Sequence, residues 1–142
     1  MTTEEKKEIL RSYRWKRAAA KQLLNKLREL EAEALPRAIA YDGVPRSGEP
    51  KDMSGWAARV DAMERKLQKA YEEEIDALHR ITAAINEMSD TLQKSVLWMR
   101  YVEMKSVEKI ARELHYAEKT IWNAHRLGIR AIKFTEAPHE NK

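Results

Sequence analysis

The sequence predicts an all-α protein: a long helical hairpin or coiled-coil segment followed by a C-terminal helix-turn-helix. Three observations carry this reading. Apolar residues recur at a spacing of about 3.5 over most of the 142 residues. Only 4 Gly and 4 Pro are present, too few for a chain of many turns. Charged residues make up 35% and aromatic residues 7%, with Ala, Glu, Lys, Arg and Leu in excess, a mixture that favours helices over strands.

In the first helix Ile9, Tyr13, Ala20, Leu23, Leu27, Leu30 and Ala34 step by fours and threes, with Lys16 interrupting. The stretch 36–55 breaks that pattern, because three of the four prolines and three of the four glycines fall in it. Asp42-Gly43 and Ser47-Gly48 are turn dipeptides, and Asp52 or Ser54 is placed to cap the next helix. Ala38, Ile39, Tyr41, Val44 and Met53 are too many apolar groups for a solvated tether. An ordered loop over the end of the hairpin is expected. Trp56, Val60, Met63 and Leu67 resume the stripe, and Tyr71, Ile75, Leu78 and Ile85 carry it on after a shift of register near Ala70. Each long helix should run roughly 30 residues, about 45 Å. Stripes this narrow leave a hairpin little core of its own. Residues 1–88 are therefore expected to self-associate, as a homodimer; the alternative is a monomeric bundle that buries both stripes against the C-terminal segment.

From Ser89 the pattern shortens into three segments that make up 89–134. Ser89 or Asp90 caps the first, in which Leu92, Val96, Leu97, Met99 and Tyr101 are the apolar positions. Val102-Glu103-Met104-Lys105 breaks the period. Ser106 caps the second helix, with Glu108 near its positive end and Val107, Ile110, Ala111 and Leu114 on its inner face. Tyr116-Ala117 connects to a third helix over 118–134. Its inner face is Ile121, Ala124, His125, Gly128 and Ile132, with Ile129 beside them. A short helix, a connection of about three residues and a second helix is the arrangement of helix-turn-helix DNA binders. Ala111 supplies the small side chain that a steep crossing needs. Residues 135–142 form a polar tail.

Residues 94–134 carry nine Lys and Arg against four Asp and Glu, a net of +5. A segment this basic points to a polyanion, most simply double-stranded DNA. The outer face of the third helix carries Lys119, Thr120, Trp122, Asn123, Arg126 and Arg130. Asn pairs bidentately with adenine and Arg with guanine, while Lys119 and Thr120 lie early enough to reach bases or phosphates. Trp122 either stacks over sugar edges or packs back against the first of the three helices. Lys105, Ser106, Lys109 and Lys133 are candidates for phosphate contacts, and Arg130 lies back toward the phosphates.

Other chemistry is absent from the pattern. With 0 Cys there is no thiolate metal site and no Cys nucleophile. His79, His115, His125 and His139 lack metal-ligand spacing, and His125 falls on an inner face. Glu72-Glu73-Glu74 with Asp76 reads as a solvated charge run. No glycine-rich phosphate loop or serine elbow can be drawn. The expectation is a non-enzyme with no metal and no cofactor. No run of about 18 apolar residues exists, and MTTEEKKEIL lacks the apolar core of a secretory signal. No membrane contact and a cytoplasmic location, in a bacterial host cell, are expected.

Residues 92–132 resemble the sigma-70 region-4 helix-turn-helix in the form carried by small phage and prophage transcription regulators of Gram-positive bacteria (the ArpU/RinA-like late regulators). The residues that carry the resemblance are Leu97-Trp98-Met99-Arg100-Tyr101, Ile110-Ala111-Arg112-Glu113-Leu114 and Tyr116-Ala117-Glu118-Lys119-Thr120-Ile121. In those regulators the corresponding patterns run Leu-x-x-Arg-Tyr, Ile-Ala-x-x-Leu and Tyr-Ser-x-x-Thr-Val. Tyr41-Asp42-Gly43-Val44-Pro45 is similar to the Tyr-Asp-Gly-Met-Pro loop found between two of their helices. The resemblance implies a sequence-specific transcriptional regulator and adds RNA polymerase as a candidate partner. Two residues depart from the pattern. Ala117 replaces Ser, removing a cap worth about 0.5–2 kcal/mol. Gly128 lies inside the third helix at a cost of about 1 kcal/mol relative to Ala. Both are expected to leave that helix partly frayed until DNA orders it. Two alternatives share the same parts: a small terminase-like DNA-packaging subunit, assembling as a ring, and a protein–protein adaptor whose helix-turn-helix no longer binds DNA.

Overall fold

The chain opens on a reciprocal cap. Glu5 N–H donates to Thr2 Oγ1 at 3.1 Å, and Thr2 N–H donates to Glu5 Oε1 at 2.8 Å. Two donors that a helix start would leave orphaned are thereby satisfied. The structure, a computed structural model, describes the backbone of residues 1–40 and 49–135 and the side chains of 1–33 and 55–135. From this cap α1 (Thr3–Ala40) runs, followed by α2 (Glu49–Asn86), α3 (Thr91–Leu97), a π-helical turn (Trp98–Val102), α4 (Val107–Leu114) and α5 (Glu118–Ala131). No strand occurs among the described residues, so the fold is all-helical as expected. The turn dipeptides Asp42-Gly43 and Ser47-Gly48, the side chains of Ala38, Ile39, Tyr41, Val44 and Met53, and tail residues 136–142 lie outside what is described.

The two long helices exceed their expected length. α1 continues past Pro36 to Ala40, and α2 begins at Glu49. Pro50 falls in the first turn of α2, where its missing N–H has no intrahelical partner to lose. Asp52 and Ser54 therefore lie inside α2, not at its cap, and Gly55 follows them within the helix. The stripe along α2 also differs from expectation. Tyr71 and Ile75 are 40% and 50% exposed. Of the expected stripe, Ile85 is buried and Leu78 packs on the core, but Leu67, Ala70, Ile81, Ala84 and Met88 are buried too, with Ala77 packed against the cluster of Ile81, Ala84 and Met88. The line from Leu67 through Ala77 to Met88 alternates threes and fours across Glu74 without any register shift. Tyr71 and Ile75 each stand one residue off that line, about 100° around the helix.

The chain divides into two units, Met1–Trp15 with Ile75–Lys142, and Lys16–Glu74. In the second unit Ala20, Leu27, Leu67 and Ala70 are buried, and the Trp56 indole N–H donates to the Leu30 carbonyl at 2.6 Å. The first unit holds most of the core. One cluster joins Leu10 and Tyr13 of α1, Ile81, Ala84 and Ile85 of α2, Met88, Leu97 of α3, Ile129 of α5 and Ile132 just beyond it. Leu10, not the expected Ile9, is fully buried. A second cluster joins Val96, Val107, Ile110, Ala111, Ile121 and Ala124, which places the small side chains Ala111 and Ala124 where α4 and α5 meet.

The short helices begin at the expected residues. Asp90 Oδ1 accepts from Gln93 N–H at 2.9 Å at the start of α3, and Ser106 Oγ accepts from Lys109 N–H at 3.1 Å at the start of α4. His115 adopts a left-handed conformation (φ 62°) after α4, and Tyr116 N–H reaches back to the Ala111 carbonyl at 3.0 Å. This stops α4 and reverses the chain within three residues. Ala117 then holds the extended conformation of a cap with no side-chain bond to give. α5 ends at Ala131, short of the expected 134, so Lys133 follows the helix.

Gly128 has a packing reason. A Cβ added there would meet Leu97 Cγ and Cδ1 at 3.3 Å and Gln93 Cβ at 3.4 Å, and Leu97 is fully buried. We expect Gly128→Ala to lose stability: overpacking of about 1–3 kcal/mol outweighs the gain in helix propensity of about 1 kcal/mol. A raised urea midpoint would show that Leu97 has room to retreat. Ala117→Ser should stabilise the chain by about 0.5–2 kcal/mol through the missing cap, read as a higher midpoint in the same titration.

Candidate nucleic-acid interface

α5 is held on its inner side by Ile121, Ala124, Gly128 and Ile129, all buried. The 3.6-residue period then leaves Lys119, Thr120, Trp122, Asn123, Arg126 and Arg130 on the opposite side, where each is exposed. These six candidates from the sequence all line one open groove of about 870 Å³. Thr3 and Lys7 from the first turns of α1 line it too, together with His125 and Ile129 of α5. No carboxylate is among these lining residues. The Glu4 carboxylate lies near the α1 side, exposed, 3.6 Å from Nζ of the half-buried Lys7. Pairs this open to water are worth little.

Contacts within the groove preset several groups. The Arg126 guanidinium donates to the Asn123 side-chain oxygen one turn earlier. Trp122 is half exposed and meets His125 edge-on, with centroids 5.8 Å apart. It thus packs on its own helix through His125. His125 stacks on Tyr101, and Tyr101 Oη and His125 Nε2 are hydrogen-bonded at 2.7 Å. Burial, then the nearby cations Arg100, Lys7 and Arg11, hold the His125 pKa down at about 4. Burial raises that of Tyr101, against the opposing influence of Arg100 and Arg11. The pair is therefore neutral at physiological pH, directly beneath a cationic surface.

The remaining candidates lie elsewhere. The Lys105 ammonium is engaged by Glu113 at 2.7 Å and Glu103 at 2.9 Å. Hydrogen bonds to these carboxylates raise its pKa and lower that of Glu113. Ser106 caps α4, Lys109 is exposed on α4, and Lys133 lines a separate hollow with Ser89, Asp90 and Gln93. None of the four lines the groove. The residues that sequence reasoning missed are Thr3, Lys7 and Arg11. Their only signal was a run of basic residues early in α1, which reads like any solvated helix face. No cluster of three or more His, Asp or Glu able to hold a metal is found among the described residues, and no described helix is long and apolar enough to cross a membrane.

Residues 49–133 match the family model described as "Protein of unknown function (DUF1492)". The chain belongs to this family. The DUF1492 match takes in α2 through α5 and stops short of α1. Neither a curated protein nor a solved structure matches the chain.

His125 makes the unit sensitive to acid. Below about pH 6.5 the unfolded histidine takes up a proton that the folded one refuses until about pH 4. The contribution is therefore fully present above pH 6.5 and is lost as pH falls toward 4. The urea midpoint of the unsubstituted chain should fall more steeply across that window than that of His125→Gln. Parallel curves would refute the assignment.

Proposed function

We propose that this chain is a sequence-specific DNA-binding transcriptional regulator of phage or prophage type. In this reading α4 and α5 act as a sigma-70 region-4-like helix-turn-helix with α5 in the major groove. One observation carries it: Lys119, Thr120, Trp122, Asn123, Arg126 and Arg130 stand exposed on one groove-lining face of a helix that follows a three-residue reversal. A helix about 10–12 Å across fits a major groove about 12 Å wide. The exposed face of α5 then lies over base edges, where Asn123 in its N-terminal half and Arg126 one turn further on have the donors and acceptors to read adenine and guanine. Lys119 and Arg130 reach phosphates at either end. The Arg126–Asn123 bond has to open or be shared on binding, so the two residues read DNA as a coupled pair. The long helices bring two copies together as a homodimer and set the half-site spacing. RNA polymerase is the protein partner, and the bacterial cytoplasm is the setting.

Selection of duplexes from a random library at physiological salt should enrich one motif with two half-sites. On that motif, Lys119→Ala with Arg126→Ala should weaken binding at least about tenfold, since a bidentate base contact is worth about 1–3 kcal/mol, while far-UV helicity is kept. Equal affinity in the double variant would remove α5 from the interface. Light scattering that shows a ring of many subunits would favour DNA packaging instead.

A further inference from the structure

We infer that the first turns of α1 form a second wall of the DNA-binding surface, with Lys7 and Arg11 gripping the phosphate backbone that borders the groove α5 enters. The inference rests on the DNA-binding reading of α5 and adds to it a contact from the opposite end of the chain. Lys7 and Thr3 line the same groove as Lys119, Asn123, Arg126 and Arg130. Leu10 and Tyr13 share a buried cluster with Ile129 and Ile132, so α1 packs beside α5. Lys6 Nζ donates to the Arg130 carbonyl at 2.9 Å. A cation is thereby placed on the negative end of α5, which fixes α1 there.

The dimensions decide what α1 meets. Packed helices lie about 8–10 Å apart. When α5 fills a major groove about 12 Å wide, a helix beside it falls on the phosphate ridge and not on bases. Arg11 is exposed one turn on from Lys7, so the two cations stand on one face of α1. The carboxylate paired with Lys7 is that of Glu4, and it is largely exposed; a phosphate displaces so weak a partner at little cost. Contacts to the ridge carry no base information. The α1 wall therefore adds affinity uniformly across sequences, while α5 supplies the choice among them.

The test compares two double variants of the full chain, Lys7→Ala with Arg11→Ala and Lys119→Ala with Arg126→Ala, on the selected duplex and a scrambled one across a salt titration. The α1 variant should bind both duplexes several-fold more weakly at low salt. Its dependence of log Kd on log salt should flatten by about 0.9 for each phosphate that α1 no longer neutralises. The charge-conserving exchange Lys7→Arg with Arg11→Lys should restore both affinity and slope. Unchanged affinity and slope in the α1 variant, while the α5 variant still loses binding, would overturn the second wall and leave the α5 reading intact. A loss confined to the selected duplex would overturn it as well, by making α1 a base reader. If the unsubstituted chain binds neither duplex at low salt, both readings fall together.

Discussion

The position of α5 depends on how closely it lies against α3, and that approach is set where Gly128 meets Leu97. With hydrogen in place of a side chain at Gly128, α5 settles until its backbone touches the buried Leu97. Ile129 and Ile132 then reach the cluster built from α1 and α2. One residue type thus positions the inner side of α5, and through the helical period it also orients the opposite side. A larger residue at 128 would push the whole cationic face outward from its supports.

A second constraint is electrostatic. Lys7, Lys119, Arg126 and Arg130 crowd one groove, and Arg11 and Arg100 act from beside it. Lys119, Arg126 and Arg130 are exposed, keep their water and cost little, but a further charge beneath them would be expensive. The buried layer accordingly uses a neutral pair, Tyr101 with His125, in which each polar atom satisfies the other. Lys105, also on this basic third of the chain, is neutralised separately by Glu103 and Glu113. The cations that line the groove from this third of the chain, Lys119, Arg126 and Arg130, all stand on α5.

Much of this was legible from the residues. The caps at Asp90 and Ser106, the inner faces of α4 and α5 and the all-helical composition follow from local rules, and local rules hold where helices are short and sharply bounded. The long helices were less legible. Pro36, Pro50 and Gly55 look like breaks, yet α1 and α2 run over them; Pro50 sits in a first turn, where its missing N–H costs no intrahelical bond. Leu78 and Ile85 face the core as read, but Tyr71 and Ile75 misled because they are bulkier than Ala70 and Ala77, which lie on the core side. Gly128 looked like a defect because its reason lies on another helix. Lys7 was out of reach for the same cause: its neighbours are more than a hundred residues away along the chain, and spacing rules say nothing about such pairs.

That separation also sets an order of assembly. The second cluster, Val96 to Ala124, is drawn from one short stretch of chain, so closing it costs little loop entropy. The cluster that seats α1 joins Leu10 to Ile132, and the Lys6–Arg130 bond spans 124 residues. During synthesis the first turns of α1 emerge well over a hundred residues ahead of their partners Ile129 and Ile132. Leu10 and Tyr13 meet Ile81, Ala84 and Ile85 of α2 first, and their cover is completed only when the far end of the chain is made. The α3–α5 cluster is thus local in sequence, whereas the seat of α1 is completed only by residues from the far end of the chain.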